Sequence, residues 1–363
     1  MTKREEEILK IIKENPLISQ QELADKFGLT RSGVAAHIFN LTKKGYIAGK
    51  GYIINEPNFV AVIGGVNIDI LGLTDTTLIQ QNSNPGHITF SLGGAGYNIA
   101  HNLTKLAVPN YFITVYGDDL NGQKFEEDAQ KNHLAIQHSK KIPDKSTSSY
   151  LYVNDPDGTL NVGVDDMGIY DDITPDFLSE RLATINTSAY CIIDTNLPEK
   201  TIDWLFDNCK VPIFVKTVSL NKSYKLQNVL SKIDTLITTD KELAMLTNSS
   251  VTDAKTAEKS AKKLLKKGIE HIYVLMPHTG LFYIDNRNTK LIAGIPIKRV
   301  NNNGASAALT AAVVDSRLNN LGWEKTTQIA YTAALICMES AKSVNPLLSK
   351  DYLLKTVTRY LES

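Results

Sequence analysis

The sequence predicts a large α/β domain built on a doubly wound sheet, preceded by a small helical head. Three observations carry this. After Phe59, continuous apolar runs recur, beginning with Val60-Ala61-Val62-Ile63-Gly64-Gly65-Val66, as strands buried on both faces require. Helical stretches separate several of these runs, and such alternation specifies a sheet with ligands at the carboxyl ends of its strands. Before residue 55 the pattern is different: three short amphipathic helices and two β-prone arms.

In the head, residues 4–14 place Ile8, Ile11 and Ile12 at helical spacing, and Pro16 stops the helix because it offers no amide hydrogen. Ser19 followed three residues later by Glu22 makes a capping-box pattern for a second helix over 20–27, closed by Gly28. Thr30 caps a third, whose Val34, Ile38 and Leu41 form one apolar stripe. Its other face offers Arg31, Ser32, His37, Asn40, Lys43 and Lys44. Residues 46–54 read as two short arms around Gly49-Lys50-Gly51. Three helices and a hairpin resemble a winged helix-turn-helix module over residues 1–55. The resemblance implies double-stranded DNA as partner, with the third helix in the major groove and Lys50 reaching a phosphate. A protein-docking domain with a solvated basic face is the alternative. Glu56-Pro57-Asn58 reads as a linker.

In the body, further strands are expected at Tyr111–Val115, Tyr190–Ile193, Pro212–Val215, Thr235–Ile237 and His271–Leu275. Helices are expected near 97–107, 122–134, 199–208, 222–232 and 253–267, with three more at 304–318, 324–342 and 348–361. Alternating segments rich in serine, threonine and tyrosine at 86–92 and 147–164 suggest a separate small β-layer, a candidate lid.

Composition narrows the class. The 363 residues are 42% hydrophobic and 21% charged, as in a globular chain of about two domains. Lysine plus arginine (39) balances aspartate plus glutamate (39), so no global field recruits nucleic acid or membrane. The zero is uneven: residues 1–55 hold nine bases against six acids, and residues 29–55 hold four bases and no acid. Three cysteines without CxxC spacing fit a reducing compartment and argue against a disulfide framework. No apolar run reaches the roughly 18 residues of a membrane helix, and the charged N-terminus is unlike a signal peptide. A cytoplasmic protein without membrane contact is expected.

Specific motifs follow the first strand. Gly64-Gly65-Val66-Asn67-Ile68-Asp69 is succeeded by Gly93-Gly94-Ala95-Gly96-Tyr97-Asn98 at a helix start, then by Gly117-Asp118-Asp119-Leu120-Asn121-Gly122. In this order and spacing they resemble the ribokinase-like (PfkB) carbohydrate and nucleoside kinases across 59–363. Asp165-Asp166-Met167 and Glu339-Ser340-Ala341-Lys342-Ser343-Val344-Asn345-Pro346 are most similar to the pseudouridine kinase branch. The resemblance implies a ribokinase-like sheet with a β lid, and sugar-holding roles for Asn67, Asp69, Gly93, Gly94 and Asn98. Asp166 joins them through the branch. The chemistry suits a polyol: a carboxylate accepts hydrogen bonds from neighbouring hydroxyls, side-chain amides add donors and acceptors, and glycines admit close approach. Without the family, Asp69 could cap a helix and Asn98 begin one.

The resemblance also implies ATP and Mg2+, and here the sequence departs from it. The family's Gly-Ala-Gly-Asp reads Gly304-Ala305-Ser306-Ala307, so the general base is absent at Ala307, a loss of about 10²–10⁴ in rate. The amides of Gly304, Ala305 and Ser306 could still form an anion site. The Asn-x-x-Glu element reads Thr239-Asp240-Lys241-Glu242, keeping only Glu242. The nucleotide loop reads Met276-Pro277-His278-Thr279-Gly280, with Gly280 retained and proline at the first glycine position. No metal ligand set is expected. The combination points to a DNA-binding regulator that senses a sugar or nucleoside, paired as a homodimer. The alternative is a working ATP-dependent kinase with a displaced base, for which Asp240 or His278 would have to approach the acceptor hydroxyl.

Overall fold

The computed structural model describes residues 1–15, 18–47, 59–158, 160–276 and 279–361. The chain divides into two units, Met1–Asn58 and Phe59–Ser363.

The first unit holds α1 (Lys3–Glu14), α2 (Gln20–Phe27) and α3 (Arg31–Lys43). Thr2 and Ser19 close capping boxes with Glu5 and Glu22, and Gly28 ends α2 in the left-handed conformation at φ 63°. Thr30 accepts from the Gly33 amide at the start of α3. The core includes Ile8, Ile12, Val34, Ile38 and Leu41 of the expected stripes, with Ile11 only partly buried, and adds Leu23 from α2 and Ile47 from the segment after α3. The expected hairpin from residue 48 onward, Lys50 and the linker 56–58 lie outside the described residues.

The second unit centres on an eight-stranded sheet. Its strands are β1 (Val60–Ile63), β4 (Asn110–Ile113), β9 (Cys191–Asp194), β10 (Ile213–Lys216), β11 (Thr235–Thr239), β12 (His271–Met276), β13 (Gly280–Asp285) and β14 (Thr289–Ala293). Their order is β14-β13-β12-β11-β10-β9-β1-β4, parallel from β12 to β4, with β13 and β14 antiparallel at one edge. Because β4 and β9 flank β1 on opposite sides, the winding reverses there, and the crevice at the carboxyl ends of β1 and β9 is the topological switch point.

Alternation buries both faces. Val60 and Val62 face a core with Phe112, Ile192, Phe214 and Ile237, covered by α4 (Ala95–Lys105), α12 (Ala305–Leu318) and α13 (Trp323–Met338). Ala61 and Ile63 face the other core with Ile113, Ile193 and Val215. That side carries α6 (Pro175–Ser179), α7 (Leu182–Ile185), α8 (Glu199–Asn208), α10 (Asp240–Thr247) and α11 (Ala254–Leu265). The remaining helices are α5 (Leu120–Lys131), α9 (Leu220–Ser223) and α14 (Lys350–Leu361).

The lid is a separate four-stranded sheet of β2 (Asn67–Thr74), β3 (Gly86–Gly93), β7 (Ser149–Asn154) and β8 (Leu160–Asp166), in the order β3-β2-β7-β8. It is larger than the sequence suggests, because the chain passes from β1 through Gly64-Gly65-Val66 directly into β2. The expected strand Tyr111–Val115 breaks at Thr114: its first part is β4, and Val115–Gly117 (β5) pairs with Lys140–Ile142 (β6).

Two expected helices are shorter than their patterns. Residues 222–232 hold only the end of α9 and brief 3-10 turns at Tyr224–Leu226 and Leu230–Lys232. The helix expected over 324–342 ends at Met338. Its last carbonyls are taken by Asn345, which donates to Ile336, and by the amides of Val300 and Asn301, which donate to Met338.

Candidate functional site

A buried carboxylate organises the crevice. Asp194, at the end of β9, is fully buried and accepts from the amides of Gly65 (2.9 Å), Gly96 (2.8 Å) and Asn196 (2.8 Å). It thereby fixes the turn after β1 to the start of α4. The fit is tight: a Cβ on Gly64 would lie 2.3 Å from Asp194 Oδ2, and one on Gly94, at φ 101°, would lie 2.4 Å from the Gly65 carbonyl.

Against this frame sit the expected polyol residues. Asn67 is buried and donates from Nδ2 to Asp69 Oδ1. Burial pushes the Asp69 carboxyl up to about 6, opposed by the Asn67 hydrogen bond. Gly93 lies against that carboxylate, where a Cβ would approach Oδ2 to 2.2 Å. Asn98, on the first turn of α4, is buried, and its Oδ1 has no hydrogen-bond partner among the described residues. Asn67, Asp69, Gly93, Gly94 and Asn98 are therefore brought to one end of the sheet.

The lid register adds residues the sequence reading missed. Asp69 pairs with Ser91 and Tyr150, and Tyr150 pairs with Asp165, so these four share a row and a face of the sheet. Tyr152, two residues on, faces the same way and stacks on Tyr150 with ring centroids 5.0 Å apart. Its hydroxyl accepts from Asn303 Nδ2 (3.2 Å), just ahead of α12. Lys222 Nζ donates to Asp165 (3.3 Å) and to Asn196 (2.9 Å), linking the lid to the loop after β9. Asp166 is placed otherwise: it pairs with Ser149, in the row of Ile68 and Leu92 on the opposite face, and is exposed. The register separates it from Asp69 and brings Asp165 into its place.

At α12, Gly304 has φ 85° and caps the helix without a side-chain bond; a Cβ there would meet the Ser343 carbonyl at 1.9 Å. Ala305 and Ala307 are buried, and Ser306 takes ordinary helical geometry, so the serine imposes no backbone strain. The position expected of a base is a methyl group facing the core.

At the element expected to face a nucleotide, Thr239 caps α10 in a capping box with Glu242. Glu242 Oε2 accepts from Thr217 Oγ1, the Thr239 amide and Thr239 Oγ1, so this glutamate is tied into the fold. Asp240 is the first residue of α10. Gly280, at φ 123°, starts β13, where a Cβ would meet the Ile292 carbonyl at 1.9 Å. Pro277 and His278 lie outside the described residues. One basic residue escaped notice because it ends an apolar strand: Lys216, at the carboxyl end of β10, paired in register with Asp194. Among the described residues no cluster of histidine, cysteine, aspartate and glutamate could hold a metal ion.

In the head, Arg31, Ser32, Asn40 and Lys43 are exposed on α3, beside an exposed Phe39. His37 is half-buried. Lys44 is committed elsewhere: its Nζ lies 2.6 Å from Oε2 of the buried Glu5, and this bond holds the Glu5 carboxyl below its usual range. Lys44 is thus a structural ion pair as well as a surface cation.

Comparison with known proteins identifies the family of each unit. Residues 57–350 match the model for the pfkB family of carbohydrate kinases, and residues 1–48 match a winged helix-turn-helix DNA-binding model. The chain is 32% identical over 359 residues to an Escherichia coli protein described as an uncharacterized sugar kinase, YeiI, covering 98% of this chain and 99% of that protein. It is 28% identical over 298 residues to the Escherichia coli pseudouridine kinase, covering 82% and 95%. A carbohydrate kinase structure from Agrobacterium tumefaciens superposes with a TM-score of 0.71 at 25% identity, covering 84% of this chain and 98% of that one. No described helix is long and apolar enough to cross a membrane.

Proposed function

Because the chain belongs to the pfkB family of carbohydrate kinases and carries a winged helix-turn-helix domain before it, we propose that it is a DNA-binding regulator. In this reading its kinase-like body senses a sugar or nucleoside without transferring phosphate efficiently. The observation that carries it is Ala307. The proximity of Asn67, Asp69, Asn98 and their glycines supports a polyol site, and the helix expected to present a base carries a buried methyl group instead.

ATP and Mg2+ are the cofactors the family implies, and these residues do not suit them. Glu242 is tied by Thr217 and Thr239 and feels the charge of Lys216, so a divalent cation would meet a resident positive charge.

Occupation of the crevice would draw the lid, through Tyr150, Tyr152 and Asp165, toward the loop before α12. That gives two states a ligand can bias. The opposite face of the lid bears exposed Ile88, Phe90, Leu151, Val162 and Val164. Its natural occupant is the same face of a second copy, giving the two-fold pair that a paired operator requires. Such a regulator would work in the cytoplasm.

The test is calorimetry of the full chain against ribose and nucleosides without ATP, beside an ATP-turnover assay with Mg2+. Binding with negligible turnover supports the regulator. Turnover at rates ordinary for kinases, 1–100 per second, rejects it. A second reading, an active sugar or nucleoside kinase, is favoured by one observation: the full-length similarity to YeiI, which extends through both units.

A further inference from the structure

Among the described residues, Lys216 is an ionisable group of the crevice that neither the polyol contacts nor the hydrogen bonds of the fold account for. It ends β10, next to Asp194 on β9 and Ile237 on β11 in register, so its side chain lies on the face covered by α12. Phe214, two residues earlier on that face, shares a core with Ala305, Ala307 and Ala308 of the first turn of α12. The lysine therefore emerges at the strand edge below the helix start.

The bland explanation is a counter-ion for Glu242 and Asp194, whose charges it feels. Both carboxylates are already supplied: Asp194 by three backbone amides, Glu242 by Thr217 and Thr239. Lys216 contributes to neither set, and no acceptor among the described residues lies within hydrogen-bond distance of its Nζ. The side chain is only half-buried, so its ammonium opens on the crevice, while the protein packed around it lowers its pKa. An ammonium so placed, with no bonded partner in the fold, is matched to an anionic ligand. The start of α12 is a second unspent donor set, since Gly304 provides no side-chain cap.

We propose that Lys216, with the uncapped first turn of α12, anchors a phosphate dianion, and that the ligand of this crevice is an already phosphorylated sugar or nucleoside held without Mg2+. The inference rests on the polyol reading of Asn67, Asp69 and Asn98, and adds the charge at the other end of the ligand. A phosphate dianion could also come from the end of ATP, but the tied Glu242 and the missing base leave a phosphomonoester as the better fit.

The experiment is calorimetry of the full chain in EDTA with ribose, ribose 5-phosphate, uridine, uridine 5′-monophosphate, inorganic phosphate and ATP. Charge-assisted hydrogen bonds should make each sugar phosphate bind about 10- to 100-fold tighter than its unphosphorylated parent. Lys216→Met should erase that advantage and spare affinity for the parent, while Lys216→Arg should keep most of it. Thermal melts of both variants check folding, and the arginine variant carries the test should the methionine variant not fold. Equal affinity for parent and phosphate, or an advantage that survives Lys216→Met, overturns the proposal. So does ATP binding tighter than the monophosphates. If no sugar binds but inorganic phosphate does, dependent on Lys216, the anion site stands and the polyol reading falls; if nothing binds, both fall.

Discussion

Asn67 Nδ2 lies 2.6 Å from Asp69 Oδ1, setting a donor against a carboxyl that burial otherwise keeps protonated. A polyol needs the ionised form as acceptor. Binding of an uncharged sugar should therefore rise as pH passes about 6, the value for Asp69, and level off above 7. Asn67→Ala removes the group that favours the carboxylate, so its binding curve should move to higher pH. Calorimetry across pH 5–8 checks both.

The same carboxyl has a stability consequence of opposite sense. Its folded pKa, about 6, lies above the ordinary 3.8, so between those values the folded chain holds a proton that the unfolded chain has released. Stability should fall as pH rises through that window, by roughly 2–3 kcal/mol in all. Asp69→Asn abolishes the charge, and it should raise the melting temperature at pH 7 while losing polyol binding. A variant that loses both would show that Asp69 supports the fold.

The Glu5–Lys44 pair separates two roles on α3. Arg31→Ala and Lys43→Ala should weaken DNA binding and each reduce the slope of log affinity against log salt by about one. Lys44→Ala should instead destabilise the head by about 1 kcal/mol or less, since the lysine is partly exposed and screened. Because the Glu5 carboxyl is held below its usual value, the pair's contribution is present above that value and lost as pH falls through the folded one. Salt-titrated DNA binding beside thermal melts at pH 7 and pH 4 distinguishes the two classes.

Asp194 bears on order in the crevice. Replacing it with alanine leaves the amides of Gly65, Gly96 and Asn196 without their acceptor, a loss of about 3 kcal/mol or more. Denaturant unfolding should report that loss, and asparagine, with one acceptor oxygen, should recover part of it.

How far the chain could be read in advance depended on whether a feature was local. The parallel strands β1, β4, β9, β10, β11 and β12 stood out because both faces are buried and the apolar runs are unbroken. Asn67–Thr74 carried a strand signal too, with Ile68 and Ile70 alternating with Asn67 and Asp69, but it follows β1 so closely that the glycine motif masked it. The β13–β14 hairpin was missed although Gly280–Asp285 is as apolar as its neighbours. Asn67, Asp69 and Asn98 were legible because their motifs are contiguous. Asp165 was not distinguishable from Asp166, since which of the two faces Asp69 depends on the joint register of β2, β7 and β8. Lys222 stayed hidden because its partners Asp165 and Asn196 are remote along the chain, and Lys216 because only the fold sets it near the charges of Asp194 and Glu242.

Ala307→Asp tests whether phosphoryl transfer was lost at one position or several. The site is buried on the first turn of α12, so a new carboxylate there favours the helix dipole but carries a desolvation cost. If the base were the sole defect, ATP turnover would rise by about 10²–10⁴. Recovery well below that is expected even with Ser306→Gly, because Thr239 and Lys216 remain and the sequence still has proline where the family's loop has glycine. Adding Lys216→Asn should raise turnover further if the resident ammonium is what excludes Mg2+. A coupled ATPase assay with ribose and uridine, run with and without Mg2+, reads each step, and full kinase rates from Ala307→Asp alone would place the whole loss at that residue.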